Sequence, residues 1–218
     1  MKKQFAVIGL GRFGKSLVRE LTRIGHEVLA IDADPHKVNE ITDEVIHAAQ
    51  ADAMDEQAMR SIGIRNFDVV VVSIGHNIQS SILATILLKE MGVKKVIAKA
   101  QNSLHGKVLE KLGIDLVIYP ERDMAIKLAR SLSSKNILDH IDLSPDYSIM
   151  EMVAPIAFVG KNLASLGVRN KMGITILAIR RGEEIIVSPN SVQVINAGDI
   201  LVALGKNKNL SRICDMES

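Results

Sequence analysis

Residues 7–14 read VIGLGRFG, and Gly9, Gly11 and Gly14 keep the G-x-G-x-x-G spacing of a phosphate-binding turn. An apolar run precedes the turn, a helical stretch follows it, and Asp32 lies 18 residues beyond Gly14 at the end of the next apolar run. Each part has its chemistry. Gly9 permits the tight turn, Gly11 lets backbone approach a diphosphate, and Gly14 lets helix and strand pack closely. Amides at the helix start present positive charge to phosphate oxygens. Asp32 offers acceptors to ribose hydroxyls, and its charge disfavours a 2′-phosphate and hence NADP. Asp52 and Ala53 follow the third strand, where an adenine edge is met; Asp52 reads equally well as a helix cap before MDEQAM. Ser73, Ile74 and Gly75, after the fourth strand, line the same crevice by topology.

Arg12 and Phe13 sit inside the turn. In a pyrophosphate-bridged dinucleotide the turn's amides largely match the phosphate charge, whereas a terminal ATP phosphate adds charge that suits a guanidinium fork. Arg12 therefore favours ATP or ADP, although a solvent-facing residue at a helix start reads the same way. Lys99 and Glu121, each just past a strand, add an ammonium and a carboxylate. Glu121 suits a divalent cation held against phosphates; taken alone, it suits the helix dipole better. Redox catalysis is poorly supplied. Neither Tyr119 nor Tyr147 is followed by lysine four residues on, and the histidines are scattered. His76 and His105 follow strand ends near the crevice and read as solvent-facing loop positions. A small NAD(H)-dependent reductase and an NAD-sensing regulator stand as the alternatives.

These residues must be positioned by the elements around them. Short β-branched runs alternate with helical segments as far as residue 137, which predicts a doubly wound parallel sheet covered on both faces. The last helix is expected over 121–137. Beyond it DLSPDYS reads as a linker, and the strand-rich remainder as a small α+β module. The expected domains are residues 1–137 and 138–218. The second is marginal for an independent core and would gain by pairing with another copy.

Composition narrows the classes. The 27 basic and 25 acidic residues are interspersed, aromatics make up 3% and Trp is absent, so nucleic acid is a poor partner. Cys214 is the single cysteine, which excludes an intrachain disulfide and suits a reducing cytosol. The apolar runs are too short to span a bilayer, and the N-terminal one reads as a strand, not a leader.

Together FAVIGLGRFG, EVLAIDAD, VVVVSIGHNIQSSILATILLKEMG, IAKAQN, YPERDMA and RNKMGITILAIRRGEEIIVSP resemble the RCK (KTN) family of ligand-gated regulatory proteins over essentially the whole chain. The resemblance implies a regulator of potassium transport, not an enzyme. It implies a cytoplasmic homo-octameric ring, peripheral to the membrane through a potassium-translocating subunit and switched by exchange of ATP and ADP. By position, Arg12 would reach the terminal phosphate, Asp32 the ribose, and Glu121 a divalent cation, Mg or Ca, shared near a neighbouring subunit's nucleotide. It also implies a C-terminal dimer that binds inhibitory cyclic di-AMP through Leu163, Arg169, Ile174, Thr175, Ile176 and Pro189, with Thr175 standing where relatives commonly have asparagine. From the residues alone, Ile174 and Ile176 read as interface core, Arg169 as a surface charge and Pro189 as a turn residue.

Overall fold

Runs rich in valine and isoleucine form strands, and the periodic stretches between them form helices. The structure, a computed structural model, describes residues 2–133, 137–214 and 216 and divides into two compact units, Met1–Arg122 and Asp123–Ser218. The first unit runs β1 (Gln4–Ile8), α1 (Arg12–Arg23), β2 (Glu27–Asp32), α2 (Pro35–Thr42), β3 (His47–Gln50), α3 (Glu56–Ile62), β4 (Val69–Val72), α4 (Ile78–Glu90), β5 (Val96–Lys99), α5 (Ser103–Lys111) and β6 (Leu116–Ile118). The division falls in the first turn of α6 (Pro120–Ser133).

All strand pairs of the first unit are parallel, in the order β3-β2-β1-β4-β5-β6. Alternation along each strand sends side chains to two cores. Ala6, Ile8, Val70 and Val72 pack with Met59, Leu88 and Leu109 on one face, while Val7, Val71 and Ala30 pack with Val18, Val38 and Ile41 on the other. Burial on both faces explains why β4 is four consecutive valines. The chain passes from β3 to β4 across β1, so the loops after β1 and β4 diverge and leave a crevice at the strands' carboxyl ends.

The second unit contains β7 (Ile137–Asp142), β8 (Tyr147–Val153), α7 (Leu163–Leu166), α8 (Val168–Met172), β9 (Ile174–Arg181), β10 (Glu184–Val187), β11 (Ile200–Lys206) and α9 (Asn207–Cys214). Its sheet is antiparallel, ordered β10-β9-β11-β8-β7. Met150, Met152, Ile174, Ile176, Ile179 and Leu201 form its core with Phe158, Leu210 and Ile213.

The helix expected over 121–137 ends at Ser133, its expected residues 134–136 lie outside the described residues, and Ile137 begins a strand. The expected linker DLSPDYS is the turn of a hairpin, with Ile141 opposite Ile149 and Leu143 N–H donating to the Tyr147 carbonyl at 2.9 Å. β7 hid in the sequence because it is an edge strand carrying Asp139, His140 and Asp142, which blur the period of two.

The Arg181–Asp199 pair fastens this unit. Arg181 donates to both Asp199 oxygens, at 2.9 and 2.8 Å, and to the Val194 carbonyl, while Asn196 N–H also donates to Asp199, which is 1% exposed. The hydrogen bonds from Arg181 hold the Asp199 carboxyl below the usual aspartate value. The pair's contribution is therefore complete above a pH of about 3.9 and disappears as pH falls through the lowered folded-state value. Asp199→Ala, which strands a cation beside an emptied pocket, is expected to lower the melting temperature at pH 7 by roughly 5–10 °C. Melting curves of the full chain from pH 7 down to 3 should show the gap to wild type closing only at the acid end.

Candidate functional site

A cavity of about 680 Å³ occupies the crevice. Of the thirteen residues read from the sequence as nucleotide contacts, twelve line it: Gly9, Gly11, Arg12, Phe13, Asp32, Asp52, Ala53, Ser73, Ile74, Gly75, Lys99 and Glu121. The thirteenth, Gly14, lies beneath the turn, where a Cβ would overlap the Gly9 carbonyl oxygen. Gly9 itself has φ +96°, and a Cβ there would meet the Ser73–Ile74 backbone at 2.9–3.0 Å. Both glycines are thus required by the fold. Gly11 is different: its backbone is extended, and a Cβ would have open space around it. The fold itself therefore does not require glycine there.

The helix starts around the cavity follow the same distinction. The first turns of α2, α3, α4 and α5 are capped by Asp34, Asp55, Asn77 and Asn102, each accepting from a backbone amide at 2.9–3.0 Å. α1 starts from Gly11 with no side-chain cap and no acidic residue in its first turn. Its first amides are left to an external anion, the arrangement that phosphate oxygens satisfy. Asp55, not Asp52, caps α3. Asp52 accepts from Met54 N–H at 2.9 Å at the cavity's edge.

The Asp32 carboxylate is largely buried and serves the fold first. One oxygen accepts from Leu10 N–H at 2.6 Å and the other from Asp34 N–H at 2.9 Å, with Lys37 Nζ at 3.5 Å. It locks the glycine turn to the end of β2, and its remaining lone pairs can accept from a hydroxyl in the cavity. Lys37, Met54, Asn77, Ser80, Gln101 and Asn102 also line the cavity, beside Ile8, Ala33, Ala51 and the exposed His76. The sequence reading missed the first six. All but Ser80, in the first turn of α4, lie within five residues of a strand's carboxyl end, which is the signal that finds them.

Three cations, Arg12, Lys37 and Lys99, meet Asp32, Asp52 and Glu121 in this space. Lys99 is largely buried, lies 5.8 Å from the Phe13 ring centroid, and donates to Glu121 Oε1 at 2.5 Å. That hydrogen bond, together with the fields of Lys99 and Arg12, holds the Glu121 carboxyl below the usual glutamate value. Arg12 is exposed at the mouth. Among the described residues no group of three or more His, Cys, Asp or Glu could hold a metal, so within one chain Glu121 would need donors from elsewhere.

His105 departs from the loop position expected of it. It is 2% exposed in the first turn of α5, where Nδ1 accepts from Gln101 N–H at 3.3 Å, and burial pushes its pKa below the usual histidine value. Its place in the first helical turn, capped by Asn102, turns the ring inward.

In the second unit, the side chains of Leu163, Ile174 and Ile176 lie in that unit's own core. Thr175 and Pro189 are half-buried and Arg169 is exposed.

Comparison with known proteins agrees with this architecture. The TrkA-N domain model matches residues 5–120 and the TrkA-C domain model residues 150–217. Ktr system potassium uptake protein C of Bacillus subtilis (strain 168) is 49% identical over 212 residues, covering 97% of this chain and 96% of that protein. Ktr system potassium uptake protein A of the same organism is 50% identical over 210 residues, covering 96% and 95%. Among solved structures the GsuK channel superposes with a TM-score of 0.72 at 16% identity, covering 99% of this chain and 39% of that one, a likeness of fold. The chain belongs to the RCK (KTN) family, with the TrkA-N and TrkA-C domains that build its regulatory proteins. Within it the Bacillus Ktr proteins A and C match over nearly their whole lengths.

Two glycine substitutions separate fold from ligand. Gly14→Ala is expected to destabilise the chain by about 3 kcal/mol or more, because backbone cannot yield to the added methyl. Gly11→Ala is expected to change stability by no more than about 1 kcal/mol while weakening adenine-nucleotide binding at least about ten-fold. Denaturant titration beside calorimetric titration of each variant checks both.

Proposed function

We propose that this chain is the regulatory subunit of a potassium uptake system and reads the adenine nucleotide bound in the crevice. The single observation behind the nucleotide reading is the uncapped start of α1, reached over a glycine that the fold does not need. The potassium role follows from the 49–50% identity to Ktr potassium uptake proteins over almost the whole chain. Asp32 would receive the ribose hydroxyls, Asp52 and Ala53 the adenine, and Ser73, Ile74 and Gly75 would floor the site. Arg12, Phe13 and Lys99 would surround the phosphate tail. A divalent cation would be held by Glu121 with donors from a neighbouring subunit.

ATP and ADP differ in one terminal phosphate. A ligand moves a conformational equilibrium only by binding its two states unequally, so the groups around that phosphate must make the difference. Arg12 and Lys99 are the cations suited to it. In this reading residues 1–137 form the nucleotide domain of an octameric ring, which docks from the cytoplasm on a membrane subunit that passes the ion. No helix among the described residues is long and apolar enough to cross a membrane, consistent with transport through a partner. Residues 138–218 form the dimerising domain and take cyclic di-AMP, with Arg169 toward the phosphodiester and Thr175 beside it. We read the chain as a regulator and not a catalyst. NAD(H) sensing is the second reading, since the glycine turn and Asp32 would serve a dinucleotide equally well.

Calorimetric titration of Arg12→Ala tests the first reading. ATP affinity should fall about ten-fold or more, as expected when one charged hydrogen-bonding partner is lost. ADP affinity should fall less, and equal losses for the two nucleotides would refute the assignment. For the second unit, Arg169→Ala in the full chain should abolish cyclic di-AMP heats. Undiminished binding would move that ligand elsewhere.

A further inference from the structure

The ammonium best placed for a terminal phosphate already has an anionic partner. Lys99 Nζ is held against Glu121 Oε1 at 2.5 Å, and both side chains line the cavity that Arg12 borders. The partners are unequal in burial. The lysine side chain is 12% exposed at the end of β5, whereas the glutamate is 72% exposed at the start of α6. Lys99 is therefore fixed by its strand and by the Phe13 ring face, while Glu121 can swing into solvent at little cost.

We propose that Glu121 is a built-in competitor for the nucleotide's terminal phosphate, and so sets how strongly the site distinguishes nucleotides by the length of their phosphate tails. The inference rests on the reading that the crevice takes adenine nucleotides. Glu121 places one negative charge beside Lys99 and Arg12. A phosphate oxygen that approaches Lys99 must displace that carboxylate or accept its repulsion. Ligands with short tails do not reach this point and are indifferent to the glutamate. Longer tails meet it, and the penalty grows with their charge. Once displaced, the carboxylate is released into solvent on the rim of the cavity, ready for another cation. Arrival of a terminal phosphate is thereby converted into a changed partner for the first turn of α6.

The opposing force is modest, because an ion pair with one exposed member contributes little: roughly a two- to five-fold change in affinity is expected on neutralising the glutamate. It should weaken further as salt is added.

The test is calorimetric titration of the full chain with AMP, ADP and ATP in a low-salt buffer containing a chelator, comparing wild type, Glu121→Gln, Lys99→Gln and the double variant. Glu121→Gln should tighten ATP by roughly two- to five-fold, ADP less and AMP not at all. Lys99→Gln should weaken ATP, and the gain from Glu121→Gln should shrink in that background. An unchanged or weaker ATP affinity in Glu121→Gln would overturn the proposal, as would the same gain for all three nucleotides. If wild type discriminates ATP from ADP while Glu121→Gln gains nothing, this proposal falls and the nucleotide reading stands. If wild type binds none of the three, the nucleotide reading falls and takes this one with it.

Discussion

The Asp32 carboxylate holds two chain reversals at once. One oxygen accepts from Leu10 in the glycine turn and the other from Asp34 ahead of α2. Because β1 and β2 are parallel neighbours, with Ile8 opposite Ile31, that pair of bonds fixes the start of α1 relative to the end of β2. The Ser73 amide, donating to the Ile8 carbonyl at 2.7 Å, fixes the β4 side in the same way. Every feature of the crevice depends on this frame. The amides of α1 can face a ligand only if the turn does not drift, and Arg12 lies one residue into the helix that the turn sets.

With the frame fixed, the chemistry is a matter of charge balance. The cavity mixes three cations with three carboxylates, so any preference for anions must come from placement and not from net charge. At the Asp32 end the carboxylate is buried and bonded and Lys37 is the exposed partner; at the other end Lys99 is buried and Glu121 is exposed. That inversion gives the crevice one end with an anchored carboxylate, suited to hydroxyl donors, and another with an anchored ammonium, suited to negative charge. A nucleotide has the same polarity, from ribose to phosphates.

Much of this was legible in the sequence, for physical reasons. Glycines at a strand-to-helix junction have few other uses, and uniformly apolar strands of the β4 type demand a covered parallel sheet. Asp34 directly before Pro35 has the residue types of a helix start, and its carboxylate caps α2 by accepting from the His36 amide. What escaped was set by tertiary context. β7 has no apolar alternation of its own, since it is an edge strand with polar side chains. The inward turn of His105 depends on where α5 starts, and the pairing of Lys99 with Glu121 depends on the parallel register of β5 and β6, which places Lys99 opposite Ile118. No local pattern encodes either. α9 was readable and went unread: Leu210, Ile213 and Cys214 keep the helical spacing and are all buried.

The central claim is that the crevice is built for a mononucleotide with a charged tail. Competitive titration of ATP, ADP, NAD and NADH against one preparation of the unmodified full-length chain tests it most directly. The account predicts that ATP and ADP displace the dinucleotides, with ATP ahead of ADP. Retention of NAD or NADH against an excess of both adenine nucleotides would contradict it.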